Sequence, residues 1–151
     1  MSSIETIYDR IVSNIQTALP DYQQMPDAYS IQRNSDLDLV KGFSVGIGPL
    51  SPRGPQQGEC FQYMLERVFF VTLSNDYNTR TNITGRNDDE ISLANDSFAV
   101  TKALLLDFTL GGNVSDLQFR DGSGINYLNP ETERFIINVS AYTVRYQEIL
   151  Q

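Results

Sequence analysis

Asp36-Leu37-Asp38 places two carboxylates on one side of an extended segment, with Lys41 three residues on. A metal-dependent nuclease wants such a pair, a cation nearby and a further acid, for which Glu66 is the available residue. The turn context Asn34-Ser35-Asp36 favours solvated acids instead. Glu66 and Arg67 lie mid-strand, where a cross-strand ion pair is the ordinary use of such residues. Asp88-Asp89-Glu90 follows Asn87 at cap spacing, so the cluster reads as a helix start in which negative charge suits the dipole. Gly46-x-Gly48 and Gly122-x-Gly124 do not open helices and so are not nucleotide loops.

The rest of the inventory narrows the chemistry further. The 151 residues contain no histidine, which removes the commonest general base and every Ser–His or Cys–His dyad. Cys60 is the single cysteine, so no intrachain disulfide or Cys-based zinc site can form. It sits in a strand pattern and is expected to be a buried, inert thiol. The sequence therefore predicts no enzyme, no catalytic residue, no metal site and no cofactor.

Nineteen acids face eleven bases, for a net charge of −8 and a pI near 4.4. Such a field repels phosphate and disfavours a nucleic-acid grip. Only Lys41 and Lys102 are lysines; the other bases are arginines, the cation better suited to protein contacts. No stretch has the length of a membrane span, and Met1-Ser2-Ser3-Ile4-Glu5 has no basic leader, so manufacture in a cytoplasm is expected. The sequons at Asn82, Asn95, Asn113 and Asn138 then read as chance products of an Asn-rich chain.

These residues must be positioned by a chain of one-domain length, 1–151, with enough apolar material for a core. Ile4, Ile7, Tyr8, Ile11, Ile15 and Leu19 recur at helical spacing, with Val12 widening the stripe; Ser2-x-x-Glu5 would start the helix and Pro20 stops it. Residues 20–28 read as a polar connector, and 29–33 as a short strand. Residues 40–48 alternate strictly: Phe43, Val45 and Ile47 on one side, Gly42, Ser44, Gly46 and Gly48 on the other. The bare glycine face invites a close approach by another element. The stretch from Gly48 to Glu59 holds Pro49, Pro52 and Pro55 and reads as an exposed loop, because proline lacks the ladder donor.

A long strand is expected over 60–74. Phe61, Tyr63, Leu65, Phe69, Val71 and Leu73 share its core face; the other face mixes polar residues with Met64, Val68 and Phe70. That half-apolar face predicts cover by another element or subunit. Residues 75–87 read as a polar tip. A second helix follows from Asp88 to about Phe108, with Ile91, Ala94, Phe98, Thr101, Leu105 and Phe108 as its core face and Leu93, Val100, Ala103 and Leu104 broadening it. Gly111-Gly112 should end it. Residues 114–119 and 125–128 then read as two strands of a hairpin turning at Asp121-Gly122-Ser123-Gly124. Another turn at Asn129-Pro130-Glu131-Thr132 leads to a last strand over 135–147. Helix, strands, helix, strands gives an α+β domain, one mainly antiparallel sheet with two helices packed on one face.

This layout, closing on Phe135-Ile136-Ile137-Asn138-Val139-Ser140-Ala141-Tyr142-Thr143-Val144-Arg145-Tyr146, resembles the tail terminator (tail completion) proteins of tailed bacteriophages. The likeness spans most of the chain and rests on element order and the terminal alternating pattern. It implies a virion structural protein that forms a hexameric ring, caps the tail tube and meets the head connector. The implied partners are further copies of the chain, tail-tube or sheath subunits and a head-connector or neck protein, with no membrane, and with DNA only passing through the lumen. The candidate contact residues are Arg53, Gln56 and Gln57 in the Pro/Gly loop, Met64, Val68 and Phe70 on the half-apolar face, and Asn78 and Arg80 at the polar tip. Another neck, connector or baseplate adaptor is the alternative within the class; a metal-dependent nuclease or hydrolase using Asp36, Asp38 and Glu66 is the alternative outside it.

Overall fold

The computed structural model describes residues 3–26, 41–52, 62–76, 87–128 and 135–149. Helix α1 (Ser3–Ala18) is followed by strands β1 (Gln23–Gln24), β2 (Lys41–Pro52) and β3 (Gln62–Asp76), helix α2 (Asp88–Leu106), and strands β4 (Asp116–Leu128) and β5 (Phe135–Ile149). The strands form one sheet in the order β1-β2-β3-β5-β4. Every pairing is antiparallel except the two-residue parallel contact of β1 with β2. Both helices lie against one face, so the domain is α+β with a mixed, mostly antiparallel sheet.

The core follows from strand alternation meeting helix periodicity. Phe43 and Val45 of β2 stand opposite Leu73 and Val71 of β3, which carry the same face on to Asn138 and Ser140 of β5. Ile7, Ile11, Val12 and Ile15 of α1 close over the β2–β3 side, as the apolar stripe predicts. Leu93, Val100 and Leu104 of α2 complete the cluster. Polar side chains inside this layer are paired: Ser97 Oγ donates to Asn138 Oδ1 at 2.8 Å, and Thr101 Oγ1 and the Tyr142 hydroxyl share a bond of 2.7 Å. Burial pushes the Tyr142 phenol up from its ordinary pKa.

Four sequence expectations are corrected. Residues 20–28 are not wholly a connector, since Gln23 and Gln24 pair with Gly42 and Phe43. The strand β2 does not stop before its prolines. It runs through Pro49 to Pro52, with a register shift between Ile47 and Leu50, and pairs Leu50 with Arg67. Among the described residues β1 covers only Gly42 and Phe43, so the rest of β2 is an edge there, the place where a sheet tolerates proline.

Asp121–Gly124 does not fold back as a hairpin. Leu117 pairs with Val144 and Tyr127 with Ile136, so β4 is one strand along β5 with irregularities after Phe119 and Gly122. Gly124, at φ 73°, takes up the extra length, and Ser123 Oγ accepts from Val139 N–H at 3.0 Å. Lastly, α2 ends at Leu106, before the glycines, with Asp107 as its cap; Gly111 and Gly112 lie at positive φ in the turns that follow.

Candidate interaction surfaces

Of the chemical candidates Lys41 and Glu66 are described, and they lie far apart along the sheet, Lys41 opposite Asn75 and Glu66 opposite Ser51. Asp36 and Asp38 lie outside the described residues, as does Cys60. The Lys41 ammonium sits 5.6 Å over the Tyr22 ring. Glu66 accepts from Arg145 Nε at 3.2 Å across β3 and β5, and Arg145 Nη1 lies 4.0 Å from Asp116 of β4. The expected cross-strand ion pair therefore forms, with Arg145 as its cation. Arg67 points to the opposite face, where Nη1 donates to the Gly48 carbonyl at 3.1 Å and Nε has no hydrogen-bond partner among the described residues. Among the described residues no three potential metal ligands cluster.

The acidic start of α2 is built as a cap. Asn87 Oδ1 accepts from Glu90 N–H at 3.1 Å. The Tyr127 hydroxyl, on β4, accepts from Asn87 Nδ2 at 3.0 Å and donates to Glu90 Oε1 at 2.6 Å. The far end of α2 is tied to α1. Asp107 Oδ2 accepts from Arg10 Nε and Asn14 Nδ2, each at 2.8 Å, and Oδ1 accepts from Gly111 N–H. The Arg10 hydrogen bond holds the Asp107 carboxyl below the usual range, and Asp107 in turn raises the Arg10 guanidinium. Between these ends, the Tyr22 hydroxyl donates to Asp96 at 2.7 Å. Burial, with Asp96 second, pushes that phenol far up. One flank of α2 thus meets α1 and the other meets β4.

The core face of α2 is the largest correction. Leu93, Val100 and Leu104 face inward. Ile91, Phe98, Leu105 and Phe108, expected in the core, are exposed, Phe98 by 68%. Leu106 is exposed as well, by 77%. Ile91, Phe98 and Leu105 recur at helical spacing on the β4 flank of α2; on β4 itself Phe119 is exposed and packs edge-on against Tyr142. The spacing showed these residues as one face of the helix but not that it points outward, because α2 is apolar on more sides than one sheet can cover.

A second apolar surface lies at the other end of the helix layer. Ile4 and Tyr8 of α1 and Ile47 of β2 line a groove of about 380 Å³, rimmed by Glu5 and Asp9. Ile47 and Leu50 on the β2 edge are both about half-exposed.

The contact residues named from the sequence fare unequally. Arg53, Gln56, Gln57, Asn78 and Arg80 lie outside the described residues. Met64, Val68 and Phe70 do share the face away from the helices, but Val68 is buried within the single chain, Met64 is partly buried and Phe70 is 36% exposed. The Phe70 ring also supplies the close approach expected at the glycine face, since it lies where a side chain on Gly48 would have to go. The chain matches no protein-family model and no curated protein.

Proposed function

We propose that this chain is a structural assembly subunit, a ring-forming tail terminator of a tailed bacteriophage that caps the tail tube and joins it to the head connector. The observation that carries the assembly reading is the exposed apolar stripe Ile91, Phe98 and Leu105 along one side of α2, with Phe119 also exposed on β4. Large apolar side chains exposed together along one face are the kind of surface that interaction sites use. The resemblance in element order and in the terminal strand turns that general reading toward the tail terminator, and with it toward a hexamer made of identical copies.

The test is a nonsense mutation in the gene within its phage, read by electron microscopy of the lysate. DNA-filled heads lying apart from tails of irregular length are expected, with joining restored by the purified protein. Normal particles would overturn the reading. Unjoined heads beside tails of uniform length would instead place the chain at another neck position.

A further inference from the structure

We infer that copies of this chain dock head to tail, with the outer stripe of α2 in one copy seated in the α1–β2 groove of the next. The inference rests on the assembly reading above and gives it a geometry.

The two surfaces lie on opposite flanks of the helix layer. Asp96 and Asp107 of α2 reach Tyr22 and α1 on the inner flank. Glu90 reaches Tyr127 of β4 on the outer flank, and Phe98 projects on that side. Along α1, Arg10 and Asn14 face α2, while Ile4 and Tyr8 turn to the β2 edge. The surfaces are also unlike in form. Phe98 is the most exposed side chain of the stripe, whereas the open groove is lined by Ile4, Tyr8 and Ile47 together with Glu5 and Asp9. A projecting ring fits a groove better than it fits a second stripe.

Charge agrees with this pairing. Lys102 is exposed one turn after Phe98 and one turn before Leu105. The groove rim carries Asp9, exposed on α1. The sheet edges themselves are poor glue, because β4 is bulged and β2 carries Pro49, two devices that discourage open-ended strand pairing. Side chains therefore carry the contact. Because it joins unlike surfaces, each copy keeps one of each to offer, and a rotation between copies that closes then gives a ring.

Sedimentation velocity on the full chain and two variants tests this. Phe98→Glu spoils the stripe and Ile47→Glu spoils the groove; both positions are exposed, and an unchanged thermal midpoint verifies folding. The wild type should form species larger than a dimer as concentration rises to a few hundred micromolar. Each variant alone should remain monomeric, and their equimolar mixture should stop at two chains, joined by the one intact pair of surfaces. If Ile47→Glu lowers the midpoint, Ile47→Ser, which leaves the net charge unchanged, replaces it, with at least tenfold weaker association expected. Assembly of the groove variant like the wild type, a mixture that stays monomeric, or a wild type that is monomeric throughout would each overturn the docking geometry. None of these bears on the particle phenotype, which judges the functional reading separately.

Discussion

At Gly48 the space for one methyl group decides whether β2 and β3 keep their spacing. A Cβ there would lie 2.7 Å from Phe70 Cε2, 2.9 Å from the Val68 carbonyl oxygen and 3.1 Å from Val68 Cβ. The ring could turn aside, but the backbone oxygen cannot. At Gly46 the nearest atom would be 3.8 Å away, an ordinary contact. Gly48→Ala should therefore cost about 1–3 kcal/mol, the range for overpacking, whereas Gly46→Ala should stay within about 0.5 kcal/mol of wild type. Urea denaturation of the two variants checks the contrast. Tyr22→Phe poses a different question, because it deletes the hydroxyl that donates to Asp96 and leaves the buried ring in place. A loss of about 1–2 kcal/mol is expected, as for a hydrogen bond to a charged group that water partly reaches. The alternation of Phe43, Val45 and Ile47 made this side of the sheet readable from sequence, but not which neighbour fills the glycine face. That depends on register, and the register places Phe70 opposite Gly46.

Among the elements, α1 was legible and α2 was not, for a physical reason. Opposite its isoleucines α1 carries Glu5, Asp9, Ser13 and Gln16, so its periodicity has one solution. In α2, Ala94, Phe98 and Leu105 compete with Leu93, Val100 and Leu104, and sequence spacing cannot choose between two apolar faces. The choice is made by Ser97 and Thr101, whose hydroxyls find partners on β5 only in the observed rotation. Asp121-Gly122-Ser123-Gly124 misled for a related reason: its residues suit a hairpin turn, and pairing of both flanks with β5 overrides that local preference. The link between the helices should titrate. Asp107 has a folded pKa below its unfolded value, so its contribution is complete above the ordinary carboxylate pKa and is lost as pH falls through the folded value. Asp107→Asn should lower the thermal midpoint at pH 7 by roughly 2–4 °C, and the gap from wild type should close as pH falls through the lowered folded pKa of Asp107. Thermal melts across that pH range, followed by circular dichroism, measure it. A gap that persisted at low pH would assign the effect to packing of the cap instead of to the charge.

For the whole molecule, the docking of copies has to overcome a net charge of −8 on each. Two compact bodies of this size have centres roughly 35–40 Å apart at contact, and two such charges in water then repel by about 7 kcal/mol without salt. The Debye length falls from about 30 Å at 0.01 M salt to about 8 Å at 0.15 M, so salt removes most of this repulsion. An exposed pair such as Lys102 with Asp9 contributes only about 0.2–1 kcal/mol, and the same salt weakens it. Long-range repulsion is thus the larger of the two opposed terms. Self-association should tighten with added salt, by about tenfold between 20 and 150 mM sodium chloride, and then level off as apolar burial of Phe98 and its neighbours takes over. Sedimentation equilibrium across that range measures the slope. Association that weakened steadily with salt would mean that local ion pairs, and not the apolar stripe, hold the copies together.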